Sequence, residues 1–303
     1  FARTMSRNPN PLHTAVRMAT LDILSKGRVD VGIGRTGYPY QLTPYGSTLE
    51  DTRGMWEEFA QVLPKVWTDE VFSHEGRYYQ VPPREVLPKP LQKPHPPLWS
   101  ACASEETTKL AGEMGLGALV GSEGGPDKVA SVLELYQKYL KNAEPTAGMV
   151  NNQNALMTAG FCDESQGVID DRGTELLAWY LDQQRARAQL VWQGVDPSTV
   201  PPDYQGYYDR DLKLANGPYP EDPTAAQVLK KGTNFCFGTP DNCIKFFEEY
   251  EAMGIEQVFL LSAIGPATNE EVMNTIRLFG KYVIPYFKEK EKSQAGAATA
   301  AND

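Results

Sequence analysis

Short apolar runs of β type alternate along this chain with stretches of helical period, and that alternation leaves few folds open. The clearest instance is Gly27-Arg28-Val29-Asp30-Val31-Gly32-Ile33-Gly34-Arg35-Thr36-Gly37. A turn glycine opens it, Val29, Val31 and Ile33 alternate through it, and glycines around one arginine close it. A helical stretch precedes it over 11–25, with Pro11 at its start and Leu12, Val16, Ala19, Ile23 and Leu24 on one face. The pattern recurs at 97–102 with a helix from 104 to about 114, and at 118–121 with Val129, Val132, Leu133, Tyr136 and Leu140 at helical spacing. It continues at 155–161 with a helix over 170–190. It closes with a helix from Pro240 to Met253, a strand over 257–261 and a helix over about 269–287. A parallel crossover needs a dozen or more residues, which is what the helices supply. Strands near 29–33, 97–102, 118–121, 155–161 and 257–261 are therefore expected to lie parallel and adjacent, in an α/β fold.

The intervening stretches are less regular. A helix near 49–66 should kink or end at Pro64. Residues 71–74 and 77–80 read as a hairpin around Glu75-Gly76. The segment 82–97 holds seven prolines and reads as an irregular surface connection. Residues 191–231 lack periodicity and carry Tyr204, Tyr207, Tyr208 and Tyr219, as a lid or binding loop does. Residues 1–10 are polar and irregular, and 288–303, rich in Lys, Glu and Ala, read as a disordered tail. With no internal repeat and no linker, the chain reads as one domain.

Composition excludes several functions. A net charge of −10 argues against nucleic acid and anionic membrane surfaces as partners. No apolar run approaches the ~18 residues of a membrane span, and no secretory signal pattern is visible. Cys102, Cys162, Cys236 and Cys243 form no CxxC or Cys/His cluster, which favours free thiols in a reducing cytoplasm. His13, His74 and His95 are the only histidines, so no multi-histidine metal site is expected; His74 and His95 read as surface residues.

Two places could carry chemistry. Arg35 stands at the carboxyl end of its strand, where ligands sit in α/β folds, although a solvated strand-end charge fits the spacing equally well. Ala103-Ser104-Glu105-Glu106-Thr107 follows a strand directly and opens a helix, whose free N–H groups can take a phosphate. Ser104 and Thr107 would add two hydroxyls there; a plain Ser N-cap is the alternative, and the two carboxylates would repel an anion if they faced it. Cys102 lies at the same helix start, where a thiol can acidify, but a small buried hydrophobe is the preferred reading. Gly32, Gly34 and Gly37 match neither a dinucleotide fingerprint nor a Walker loop.

Leu21-Asp22-Ile23-Leu24-Ser25-Lys26-Gly27-Arg28, followed by Val31-Gly32-Ile33-Gly34-Arg35, resembles the bacterial luciferase-like flavin monooxygenase family. So do Glu75-Gly76-Arg77-Tyr78-Tyr79, the proline-rich run before Trp99, and Gly238-Thr239-Pro240-Asp241-Asn242-Cys243 before the last strand. The likeness keeps its order over most of 10–287. It implies a (β/α)8 TIM-type barrel using reduced FMN or, in one branch, the deazaflavin F420. In luciferase an arginine at the end of this strand and a Ser-x-x-Thr after the next hold the flavin phosphate, and Arg35, Ser104 and Thr107 occupy those positions. Ala103 shares that turn, and Tyr38 falls near a family aromatic close to the flavin.

A full barrel has eight βα units, so the resemblance implies that five strands leave three N-terminal units missing, and with them the position of the luciferase catalytic histidine; the expectation is either a fragment of a longer product or an incomplete barrel. No catalytic residue is therefore assigned, and the 29–33 strand is expected at an open edge. The resemblance implies a partial barrel over 1–287, with 191–231 as its lid. Its activity would be FMN- and O2-dependent oxygenation of a small apolar substrate, such as an aldehyde or hydrocarbon. A separate flavin reductase would supply the reduced cofactor, and the full-length protein would form a homodimer or heterodimer. An F420-dependent oxidoreductase and a non-catalytic flavin-binding protein are the competing readings.

Overall fold

In a computed structural model the alternation becomes parallel strands interleaved with helices; the structure describes residues 2–5, 10–35, 38–42, 47–146, 148–215, 224–232 and 234–300. In chain order these form β1 (Ala2–Met5), α1 (Pro11–Ser25), β2 (Val31–Gly34), α2 (Pro39–Leu42), α3 (Leu49–Thr68), β3 (Phe72–Glu75) and β4 (Gln80–Arg84). Then come β5 (Leu98–Ala101), α4 (Glu105–Glu113), β6 (Gly117–Gly121), α5 (Gly125–Leu140), β7 (Asn154–Cys162), α6 (Gln166–Val168) and α7 (Thr174–Val191). The last are α8 (Pro202–Ala215), α9 (Ala225–Lys231), β8 (Cys236–Gly238), α10 (Pro240–Ala252), β9 (Gln257–Leu261), α11 (Asn269–Leu278) and α12 (Ile284–Ala300). Contacts group the chain into two compact units, where one domain is the expectation. The first holds 1–120, 131–154 and 186–217, the second 121–130, 155–185 and 218–303.

The first unit is built on β1, β2, β5 and β6 in that order, each parallel to the next. Ile33 pairs with Ser100, and Ser100 with Ala118. Val31, Ile33, Leu98, Trp99, Ser100, Ala118 and Val120 are all buried, the continuous burial of strands covered on both faces. The expected open edge at β2 is corrected here: β1 pairs with it through Thr4–Ile33. Ala2–Met5 has no apolar alternation to announce a strand, and its pairing is recruited by the exposed backbone of β2.

α3 buries Trp56, Phe59, Leu63 and Trp67, and the Trp67 indole donates to the Ala15 carbonyl of α1 at 3.0 Å. Pro64 does not end this helix, which runs to Thr68. Burial of Val66 and Trp67 beyond it offsets the missing backbone donor. The hairpin pairs β3 with β4, three residues later than expected for its second strand, because Glu58 accepts the Tyr78 and Tyr79 amides at 3.0 and 2.9 Å and holds them in the turn. Asp22, fully buried, accepts both the backbone amide (2.9 Å) and the side chain (2.7 Å) of Gln92, tying the proline-rich connection to α1.

In the second unit β7 pairs in parallel with β9 along 155–159 and with β8 along 160–162. Ala159, Phe161, Ile169, Leu176, Leu177, Phe235, Phe237 and Ile264 form its core. Thr239 and Asn242 close a capping box at the start of α10, with Pro240 in the first turn, as that motif predicts. Two expectations are revised. Residues 191–231 are not an aperiodic loop but carry α8 and α9, with Tyr219 outside the described residues. The other concerns the stretch from 288, read from composition as a disordered tail: as far as Ala300 its described residues belong to α12.

Candidate anion-binding site

The site lies in the first unit, at the carboxyl ends of β2 and β5. Because the two strands are adjacent and parallel, the residues that follow each emerge side by side. Arg35 follows β2 directly, and Ser104 caps α4 just beyond β5. The Ser104 hydroxyl accepts the Thr107 amide at 3.2 Å and lies 3.0 Å from the Thr107 hydroxyl, so both hydroxyls sit together at the helix N-terminus. The Thr108 hydroxyl donates to the Ser104 carbonyl at 2.8 Å and fixes the turn. The two carboxylates of the first turn do not face this spot together: Glu106 is held by Arg53 at 2.8 Å. Ala103 is exposed, while Arg35, Tyr38, Ser104 and Thr107 are half-buried.

α8 brings what the sequence did not assign. The Arg35 guanidinium lies 5.0 Å over the Tyr204 ring, whose hydroxyl donates at 2.8 Å to Thr52, itself bonded to the Leu49 carbonyl at 2.7 Å. One helical turn on, Tyr207 lies within electrostatic reach of Ser104, Arg35 and Arg210. Burial pushes the Tyr207 phenol above its ordinary value against the pull of Ser104 and those two arginines, so it stays protonated. Arg210 covers the Tyr207 ring at 5.2 Å and pairs with buried Asp211, which also accepts the Trp192 indole at 3.1 Å. Arg187 covers Tyr38 at 5.1 Å. Val191, Trp192, Val200, Tyr204 and Tyr208 form the apolar base of this layer. Tyrosines three and four apart at 204, 207 and 208 were the available signal for a helix face here.

Arg35, Arg187 and Arg210 bring positive charge to this part of an acidic chain, beside Glu105, Glu106 and Asp211. A fixed guanidinium, hydroxyls and free helix N–H groups form a donor set suited to a phosphate. The remaining candidates fall away. Cys102 is buried and desolvation pushes its thiol up to about 12, which fits the packing role and not a nucleophile. His95 is not at the surface as expected: it is buried, stacked on Trp67 at 5.9 Å, and desolvation lowers it toward the neutral form. His74 lies 3.0 Å from Glu58 in the hairpin. Gly37 lies outside the described residues. Among the described residues no group of His, Cys, Asp and Glu could hold a metal ion, and no helix is long and apolar enough to cross a membrane.

A family model described as luciferase-like monooxygenase matches residues 3–257. Monooxygenase RslO1 from Streptomyces bottropensis superposes with a TM-score of 0.69 at 22% identity, over 94% of this chain and 77% of that one. The oxygenating constituent of 3,6-diketocamphane monooxygenase from Pseudomonas putida, solved with FMN, gives a TM-score of 0.66 at 19% identity, over 91% of this chain and 76% of its own. Both likenesses carry the α/β fold. The F420-dependent glucose-6-phosphate dehydrogenase of Kineococcus radiotolerans is 32% identical over 222 residues, 66% of this chain and 65% of its own length.

Proposed function

This chain belongs to the luciferase-like monooxygenase family, a family of oxidoreductases, and we propose that it is a monooxygenase using reduced FMN and O2 on a small apolar substrate such as an aldehyde or hydrocarbon. The observation that carries the reading is that Arg35 and the Ser104–Thr107 hydroxyl pair follow two adjacent, parallel strands. Their donors suit a dianionic phosphate ester, and the FMN-bound structural relative supports that cofactor. Bound reduced flavin supplies the electrons for O2 activation. Arg35 neutralises the phosphate, Ser104 and Thr107 orient it, and the aromatic layer under α8 keeps water from that end of the cofactor. Reduced flavin comes from a separate reductase.

The relative named for F420 favours a second reading, hydride transfer by an F420-dependent oxidoreductase. Incubation with FMN or F420, removal of free cofactor and an absorption spectrum separate the two. Retained FMN, with oxygen uptake once reductase and NADH are added, is the expected result. Retained F420 with anaerobic hydride transfer would replace the proposal, and flavin retention without oxygen uptake would leave a non-catalytic flavin binder.

A further inference from the structure

The second unit holds a groove that the strand-end site does not use. It opens between the α6–α7 segment and α9, β8 and α10, with a volume of about 730 Å³. That falls within the ~300–1,000 Å³ of small-molecule sites. All of its lining residues belong to the second unit, whereas Arg35, Ser104 and Thr107 belong to the first. Its floor is apolar, made by the buried side chains of Ile169, Phe235, Phe237 and Phe246. Its rim is cationic: Lys230 and Lys231 end α9 and Lys245 stands on α10, all three exposed. Among the described residues none of these lysines forms an ion pair, unlike Lys281 and Lys290, which pair with Glu164, Glu248 and Glu251. Lys245 acts on Glu248 only through space, and that carboxylate is bonded to Tyr286 and Lys290. Two carboxylates share the rim, Glu249 and Asp170, the latter accepting the Gln166 amide at 2.8 Å. Three ammonium groups against two carboxylates leave one positive charge at the groove, in a chain of net charge −10.

We propose that this groove is a second ligand site, which takes a small aromatic carboxylate. The aromatic body lies on the phenylalanine floor, and the single carboxylate is drawn to the lysine rim. Phenylalanine rings pack an aromatic body edge-to-face or offset, which an aliphatic floor does not favour as strongly. An ammonium is a hydrated point charge on a flexible stem, so three of them reach one carboxylate without a fixed fork. A second negative charge on the ligand would exceed the one positive charge available and meet Asp170 and Glu249; a neutral ligand would leave the lysines unused.

The experiment is a calorimetric titration with naphthoate and with its uncharged counterpart naphthylmethanol. It compares the parent chain, the double variant Lys230→Gln with Lys231→Gln, Ala226→Trp and Arg35→Ala. The parent should prefer naphthoate about three- to tenfold at low salt and lose that preference at high salt, as exposed charges do. The double lysine variant should lose most of the preference and bind the alcohol as the parent does. Ala226 lines the groove from an exposed position on α9, so Ala226→Trp fills the space without entering the core. It should weaken both ligands about tenfold or more, with an unchanged thermal melt. Arg35→Ala, in the other unit, should bind both as the parent does. Absence of naphthoate binding in the parent, or equal binding of naphthoate and the alcohol at low salt, would overturn the inference. So would naphthoate binding that survives both groove variants, or that falls in Arg35→Ala, since either puts the ligand elsewhere.

Discussion

Replacing Arg35 with alanine perturbs two things that can be measured apart. The first is the anion site. A charge-assisted hydrogen bond from a guanidinium to phosphate contributes about 1.5–3 kcal/mol, and each 1.4 kcal/mol is roughly tenfold in affinity. Arg35→Ala should therefore weaken FMN by about ten- to a hundredfold. The second is packing: the guanidinium lies 5.0 Å over the Tyr204 ring and is half-buried. A cation–π contact at such a site is worth about 0.5–1 kcal/mol, which in a chain of this size moves Tm by only a few degrees. Fluorescence titration with FMN and riboflavin, beside a thermal melt, distinguishes the two. Riboflavin lacks the phosphate, so its binding should be the same in variant and parent. Arg35→Lys keeps the charge but loses the fork, and should fall between them. Equal weakening of FMN and riboflavin, or a collapse of the melt, would mean that Arg35 supports the fold or the flavin ring, and the assignment would be wrong.

Asp22→Ala should destabilise the chain by about 1–3 kcal/mol in urea unfolding, because the half-buried Gln92 loses the acceptor of its backbone and side-chain amides; an unchanged midpoint would refute this. The hydrogen bonds of Arg172 hold the Glu271 carboxyl at about 2, below its ordinary 4.5, so this pair contributes stability above pH 4.5 that is lost as pH falls toward 2. Glu271→Gln should flatten the acid limb of the Tm profile, and an acid limb identical to the parent's would count against it. Cys102, held as a neutral thiol, should resist iodoacetamide at pH 8 until the chain unfolds, as peptide mass spectrometry can follow. Gly117→Ala should destabilise by about 1–3 kcal/mol, since a Cβ there would meet Trp99 at 2.7 Å; equal stability would show that Trp99 yields.

What the sequence disclosed follows from how each element announces itself. β2, β5 and β9 are apolar runs bounded by glycine or proline, and α4, α10 and α11 carry side-chain caps, so strand ends and helix starts could be located together. That, with the family resemblance, is why Arg35 and the Ser104–Thr107 turn could be read as following neighbouring strands, β2 and β5. β1 and β8 escaped because four and three residues hold too little pattern, and each forms only by pairing along a stronger strand. α8 escaped because its many polar residues obscure the helical spacing of Tyr204, Tyr207 and Tyr208; its core partners Val191 and Trp192 come from outside the helix. With α8 unseen, Tyr207 could not be placed between Tyr204 and Arg210. The burial of His95 likewise depends on Trp67, which only the folded chain brings beside it.

The central claim is that a phosphate held at Arg35, Ser104 and Thr107 positions a reduced flavin for oxygenation. Its most direct test is turnover of a medium-chain aldehyde by the chain, a flavin reductase, NADH and FMN under isotope-labelled O2, with the product analysed by mass spectrometry. The expected product carries one labelled oxygen atom, forms with FMN and is abolished when riboflavin replaces it at the same low concentration. A product without label, or equal turnover with riboflavin, would contradict it.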